Sequence, residues 1–258
     1  MTYIESTDRD WEKWGSENPY FGVLNQPRFL NVNLNQDARS EFFASGNRHV
    51  EHVCEVIRAN VKPTFNAVRV LDYGCGPGRL VVAFAKRSES VVGIDVSPSM
   101  VALARRNCAE LGAPSARLLL VDEMNSLAPA SFDLIHSYIV FQHIPSARGE
   151  SMLRQLIELL GAGGVGAIHF TYSDSRPSLL VKGITELRQR VHLVNGLINL
   201  ARHRPFSSPQ MEMHNYSMNR LFNILIETHC SNVHIEFSSH GGYHGAMLYF
   251  EKSYKPLL

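Results

Sequence analysis

From Val68 onward the chain alternates short β-branched runs with stretches whose apolar residues recur at helical spacing. The short runs predict strands at Val68–Tyr73, Val91–Asp95, Arg117–Val121, Phe132–Tyr138 and Val165–Thr171. Helices are predicted between them, most clearly over Pro98–Leu111, where Val101, Ala104, Cys108 and Leu111 share one face. Ser97 suits its N-cap, Pro98 its first turn and Gly112 its termination. This alternation builds a parallel sheet with helices on both faces. Near the C-terminus a helix-like stretch, Ser217–Cys230, precedes the runs Val233–Ser238 and Ala246–Glu251, which flank Gly241-Gly242. So short a connection cannot carry a parallel crossover, and the two runs must be antiparallel neighbours. The expected fold class is α/β: a mainly parallel seven-stranded sheet with one antiparallel strand near the C-terminus.

The same patterning predicts a single domain in four stretches. Residues 1–66 form an N-terminal cap and helix, with Val50, Val53, Cys54, Ile57 and Val61 as a helical stripe and residues 1–36 irregular. Residues 67–172 are the core, and 217–258 hold the last helix and the antiparallel pair. Between them, 173–216 is longer than the roughly 12–15 residues of an ordinary loop. It contains a proline-free run of 27 residues, Ser178–Arg204, with helically spaced apolar positions, and reads as an inserted lid over the carboxyl edge of the sheet. Its apolar stripe equally offers a homodimer contact.

Composition narrows the function. With 25 Lys+Arg against 24 Asp+Glu the net charge is +1, which argues against a nucleic-acid or anionic-membrane coat. No apolar stretch reaches the ~18 residues of a membrane span. The four cysteines stand apart with no CxxC pair, and no metal is expected. The acidic start, Met1–Asp8, lacks the layout of a signal peptide, and a cytoplasmic protein is expected.

The chemistry concentrates in Val70-Leu-Asp-Tyr-Gly-Cys-Gly-Pro-Gly-Arg-Leu80, a strand running into a glycine loop that opens a helix. The dinucleotide fingerprint needs its third glycine where Arg79 stands, and the P-loop pattern is absent. Asp72 puts a carboxylate at the strand end, which suits a cationic ligand better than a phosphate.

This D-x-G-C-G-P-G stretch resembles the first motif of the class I S-adenosylmethionine-dependent methyltransferases, a Rossmann-like fold. The likeness continues in order. Val91–Met100 is similar to the family's second strand, whose terminal acid, here Asp95, holds the ribose hydroxyls. Asp95 lies 17 residues beyond Gly78, near the spacing of ribose carboxylates in nucleotide folds generally. Val121–Met124 resembles the third strand end, where Asp122 or Glu123 would face the adenine and Met124 would stack on it or fill the core. Ser131–Pro145 and Leu159–Val165 are similar to the fourth strand with its loop and to the turn before the fifth. The resemblance implies S-adenosyl-L-methionine as cofactor and a small-molecule acceptor such as a sugar or natural product. It implies cofactor contacts from Asp72, Gly74, Cys75, Gly76, Gly78, Asp95, Val96, Met100, Asp122, Glu123, Met124 and Ser137, with Cys75 serving as a small loop residue. RNA or protein acceptors, or a binding module without turnover, are the rival readings.

His143 is the candidate catalytic group: a neutral imidazole there could take a proton from the acceptor, or it could orient its loop. The stretch Trp11–Phe21 concentrates aromatics, which either staple the N-terminus to the sheet or close over the ligands. Trp14, Tyr20, Phe21, Tyr138, His143 and Tyr172 are therefore expected to line the acceptor site. Asn18-Pro19-Tyr20-Phe21 resembles the N-P-P-[YF] motif of adenine amino-methyltransferases but lacks its second proline.

Overall fold

The strand and helix boundaries come from a computed structural model that describes residues 6–175, 192–201 and 209–253. Seven strands, β1 (Arg69–Tyr73), β2 (Ser90–Asp95), β3 (Arg117–Leu120), β4 (Phe132–Ser137), β5 (Leu160–Asp174), β6 (Cys230–His240) and β7 (Tyr243–Lys252), form one sheet in the order β3-β2-β1-β4-β5-β7-β6. The pairs β1–β2, β1–β4, β2–β3 and β4–β5 are parallel, while β7 runs antiparallel to both β5 and β6. The reversed strand is inserted beside β5, which leaves β6 at the edge. Gly241 and Gly242, at φ 57° and 88°, supply the two positive dihedrals that a tight hairpin requires.

Neighbouring residues on a strand point to opposite faces, and both faces are covered. Val70 and Leu134 pack with Val53 and Ile57 of α3 (Gln36–Asn60), Val81 and Phe84 of α4 (Arg79–Ala85) and Val101 and Ala104 of α5 (Pro98–Glu110). Leu71 and Ile135, one residue along, pack with Leu153 and Leu156 of α6 (Ser146–Leu159) and Leu221 and Ile224 of the last helix, Met218–Glu227. The α5 boundaries follow the sequence: the Ser97 hydroxyl accepts the Met100 N–H at 3.1 Å, and Gly112 takes φ 83°.

One expectation changes. Residues 1–36 are not irregular, for they carry α1 (Ser6–Glu17), α2 (Pro19–Val23) and a 3-10 turn at Pro27–Phe29. Isolated helices this short are marginal, so their stability comes from contacts across the chain that no local pattern reveals. Of the expected 173–216 insertion, 176–191 and 202–208 lie outside the described residues; within it His192–Ala201 forms a helix, α7, which makes Met218–Glu227 α8. Beyond it the chain returns to the sheet, where the Tyr216 N–H donates to the Thr171 carbonyl at 2.8 Å.

Tyr216 anchors the loop after β4. Its buried hydroxyl donates to the Ile144 carbonyl at 2.8 Å, with the Phe141 carbonyl at 3.0 Å sharing the proton. Gly149 makes room for it, because a Cβ there would fall 1.9 Å from the hydroxyl oxygen. Tyr216→Phe should therefore cost about 1–2 kcal/mol in urea denaturation. Gly149→Ala should also destabilise, by about 1–3 kcal/mol of overpacking, although alanine is ordinarily the better helix former.

Candidate active site

Beyond the carboxyl ends of β1 to β4 lies a cleft enclosing about 880 Å³, its open mouth included. The chain winds outward from β1 through β2 to β3 and then returns to β4 on the other side, and ligands bind at such a switch point in open α/β sheets. The floor is Tyr73, Gly74 and Gly76 after β1, Asp95 and Val96 after β2, Val121 after β3 and Tyr138–Val140 after β4. Met100 of α5 adds an apolar wall, Arg79 and Arg148 add charge, and α1 supplies a roof through Thr7, Asp8 and Trp11.

The glycine loop is shaped by close approach. Gly74 has φ 75°, and a Cβ on it would lie 2.3 Å from a Val140 methyl, so backbone is bared where β1 meets the β4 loop. Asp95 braces this loop: its Oδ2 accepts the Gly76 N–H at 2.8 Å and its Oδ1 the Ser97 N–H at 2.9 Å. Burial pushes the Asp95 carboxyl up to about 6, against the backbone hydrogen bonds from Ser97, Gly76 and Val96. A carboxylate offers about four acceptor positions, so three N–H partners leave room for a hydroxyl donor from the cleft.

The roof is fastened by polar contacts. The Thr7 hydroxyl donates to the His143 carbonyl at 3.0 Å, and Arg148 pairs with Asp8 at 2.9 Å. Glu12 accepts from the Ser97 hydroxyl at 2.6 Å and from both the N–H and the hydroxyl of Ser99. Burial alone would raise the Glu12 carboxyl, but these three bonds hold it below the usual range.

Residues 70–164 match a family model described as a methyltransferase domain. The ubiquinone biosynthesis O-methyltransferase of Pseudomonas aeruginosa is 35% identical over 97 residues, which cover 37% of this chain and 41% of that protein. The protein of the same description from Xanthomonas campestris pv. campestris is 27% identical over 150 residues, covering 54% and 62%. The chain thus spans less than two thirds of the curated relatives it matches. Magnesium protoporphyrin IX methyltransferase from Synechocystis PCC 6803, solved with bound SAM, shares the fold at a TM-score of 0.60 and 15% identity, covering 98% of this chain and all of that one. The matched segment runs from β1 through the glycine loop and Asp95 to the start of β5, and so includes the floor of the cleft.

These residues are a class I methyltransferase domain.

Within the methyltransferase domain the cleft gathers Gly74, Gly76, Asp95, Val96, Met100, Tyr138 and His143 from the expected set. Others lie elsewhere. Asp72 turns into the sheet and its Oδ1 meets His136 Nδ1 at 2.8 Å. Cys75 is buried behind the loop, where burial raises its thiol well above the usual value, and Gly78 at φ 87° caps α4 against Ala104. The Ser137 hydroxyl is spent on the Tyr73 carbonyl at 2.9 Å. Asp122 and Glu123 are exposed, with Glu123 accepting the Leu120 N–H at 2.8 Å, and Met124 is core. Their turn wraps as a 3-10 helix, which leaves its first residue, Val121, on the cleft.

The acceptor-side aromatics divide in the same way. Tyr20 packs edge-on to Phe42 and donates to Asn107 Oδ1 at 3.2 Å, which makes it a core staple. Trp14 is buried against Phe21, and Tyr172 packs on Phe237 and His244. The tryptophan on the cleft is Trp11, one helical turn before Trp14. Which tryptophan faces inward depends on how α1 docks, and no local signal carries that. Arg79, Arg148 and Asp8 were also missed as cleft residues; the place of Arg79 directly after the third glycine was the only sequence cue for any of them.

His143 is held at both ring nitrogens. Its Nδ1–H donates to the Glu212 carbonyl at 2.7 Å, its Nε2 accepts from the Gln142 amide at 3.1 Å, and Trp11 packs edge-on at 4.8 Å. Burial pushes the imidazole down to about 4, although the Glu212 carbonyl opposes the shift. It is therefore neutral well below pH 6.5, and the turnover step near pH ~6.5 expected of an ordinary histidine base is not expected here. The same shift acts on stability. Between about pH 6.5 and 4 the unfolded chain binds this proton and the folded one does not, so stability falls as pH falls through that window, by up to about 3 kcal/mol. His143→Asn, which does not titrate, should flatten that part of a denaturation-versus-pH curve. An unchanged acid slope would contradict the neutral buried imidazole.

Proposed function

We propose that the protein is an enzyme that transfers a methyl group from S-adenosylmethionine to an oxygen or nitrogen of a small molecule. The observation that carries this reading is Asp95: a braced carboxylate at the end of β2, facing the cleft beside a glycine loop, with acceptor capacity left for ribose hydroxyls. Gly74 and Gly76 would admit the cofactor close to the backbone, and Val96, Met100 and Val121 would flank its nucleoside end. When bound, the sulfonium makes its methyl group electrophilic. The chain's own contribution is position and a dry enclosure, and alignment can supply several kcal/mol of the barrier, roughly 7–11 at best.

His143 in this scheme orients the loop after β4, because its ring nitrogens are already engaged. Burial raises the Tyr138 phenol, so it remains a proton donor to bound ligands near neutral pH. The relatives named for ubiquinone biosynthesis and the structural neighbour named for magnesium protoporphyrin IX support a small-molecule acceptor. Among the described residues no helix is long and apolar enough to cross a membrane, and no group of three or more His, Cys, Asp or Glu could hold a metal.

Calorimetry should show S-adenosylhomocysteine binding with little response to NAD. Asp95→Ala should weaken it by about 1.5–3 kcal/mol, the size of a charge-assisted hydrogen bond. Affinity should decline as pH drops through about 6, where Asp95 protonates, and Asp95→Asn should remove that decline. NAD binding of equal strength would defeat the assignment.

A further inference from the structure

Arg79 opens α4 directly after the glycine loop and lines the cleft together with Gly74 and Tyr138. The fold has made a slot for it. Gly46 of α3 faces it, and a Cβ there would fall 2.6 Å from the Arg79 carbonyl oxygen and 3.0 Å from its Cγ. The side chain is only 6% exposed and its guanidinium lies 6.0 Å from the Phe42 ring centroid. Five N–H donors sit on that group, yet among the described residues its one hydrogen bond is from Nη1 to the Ser45 hydroxyl at 3.2 Å, and its buried Nε has no partner there. No carboxylate among the described residues pairs with it. Asp72, the acid whose field it feels, has turned its Oδ1 to His136. The other charges on the cleft have partners of their own, Arg148 in Asp8 and Asp95 in backbone N–H groups. A buried guanidinium so poorly matched is costly unless an anion completes it, and its planar fork matches a carboxylate in two bonds.

We propose that Arg79 anchors the carboxylate of a ligand bound in the cleft. Two ligands could bring that group, the amino-acid end of the cofactor or an acidic acceptor. The first source rests on the methyl-transfer reading; the anchor itself does not.

Calorimetry on the wild type and R79M separates them with three probes. S-adenosylhomocysteine and methylthioadenosine share the thioether nucleoside, but only the first has a carboxylate. Benzoate is titrated onto the protein with and without S-adenosylhomocysteine. If the cofactor supplies the carboxylate, R79M weakens S-adenosylhomocysteine by about 10- to 100-fold and leaves methylthioadenosine within about twofold, as loss of a charge-assisted bond requires. If an acceptor supplies it, both nucleosides keep their affinity, and benzoate binding to the loaded protein disappears in R79M. R79K, which keeps the charge without the fork, should fall between. Equal weakening of both nucleosides, or no change in any titration, overturns the anchor. Should R79M fail to fold, the wild type still decides: excess acetate must either compete with S-adenosylhomocysteine and not with methylthioadenosine, or bind alongside both, and acetate that does neither overturns the proposal. A wild type that binds neither nucleoside refutes the methyl-transfer reading instead, and benzoate on the unliganded protein then tests the anchor alone.

Discussion

At the end of β2 the Asp95 carboxylate receives N–H groups from two directions, the glycine loop at Gly76 and the start of α5 at Ser97. Two backbone segments that the sheet alone would leave separate are tied to one side chain. Ser97 in turn caps α5 and meets Glu12, so the roof helix α1 is fastened to the same point. Floor, wall and roof of the cleft thus share one buried acid. Its burial also raises its pKa, because a carboxylate taken from water is destabilised and the three N–H donors recover only part of that cost.

A second set of bonds fixes the loop after β4. Tyr216 ties the carbonyls of Phe141 and Ile144, the Thr171 hydroxyl donates to the Gln142 side chain, and Gln142 reaches His143. Such chains are stiff when every member is satisfied, and this one holds His143 in edge-on contact with Trp11 of the roof. A histidine so enclosed organises the site better than it accepts protons.

Behind the floor, Asp72, His136 and His49 form a third chain, with His136 Nε2 and His49 Nε2 3.0 Å apart. The two facing ring nitrogens share one proton, so one ring donates and the other accepts. Burial first, and the neighbouring His136 next, push His49 down to about 2, consistent with a neutral ring. The acid that reads as a ligand contact in the motif is therefore bound to a histidine from the adjacent strand.

The parallel core, the reversed strand and the α5 boundaries were legible in the chain because periodicity, caps and glycines are local properties: the Ser97 cap and the Gly241-Gly242 hairpin need no partner beyond their own neighbourhood. The glycine loop and Asp95 were legible because a strand end projects its residues at a known edge of a parallel sheet. The rest was decided by tertiary contacts. Asp72 and Asp95 look equivalent in sequence, each an acid at a strand end, and only the pairing of β1 with β4 brings His136 against the first and leaves the second facing the cleft. Trp11 and Trp14 lie one helical turn apart, and docking of α1 on α5, through Glu12, selects the one that faces inward. Arg79 and His143 are an ordinary arginine and histidine until burial removes water from around them, and burial is a property of the folded whole.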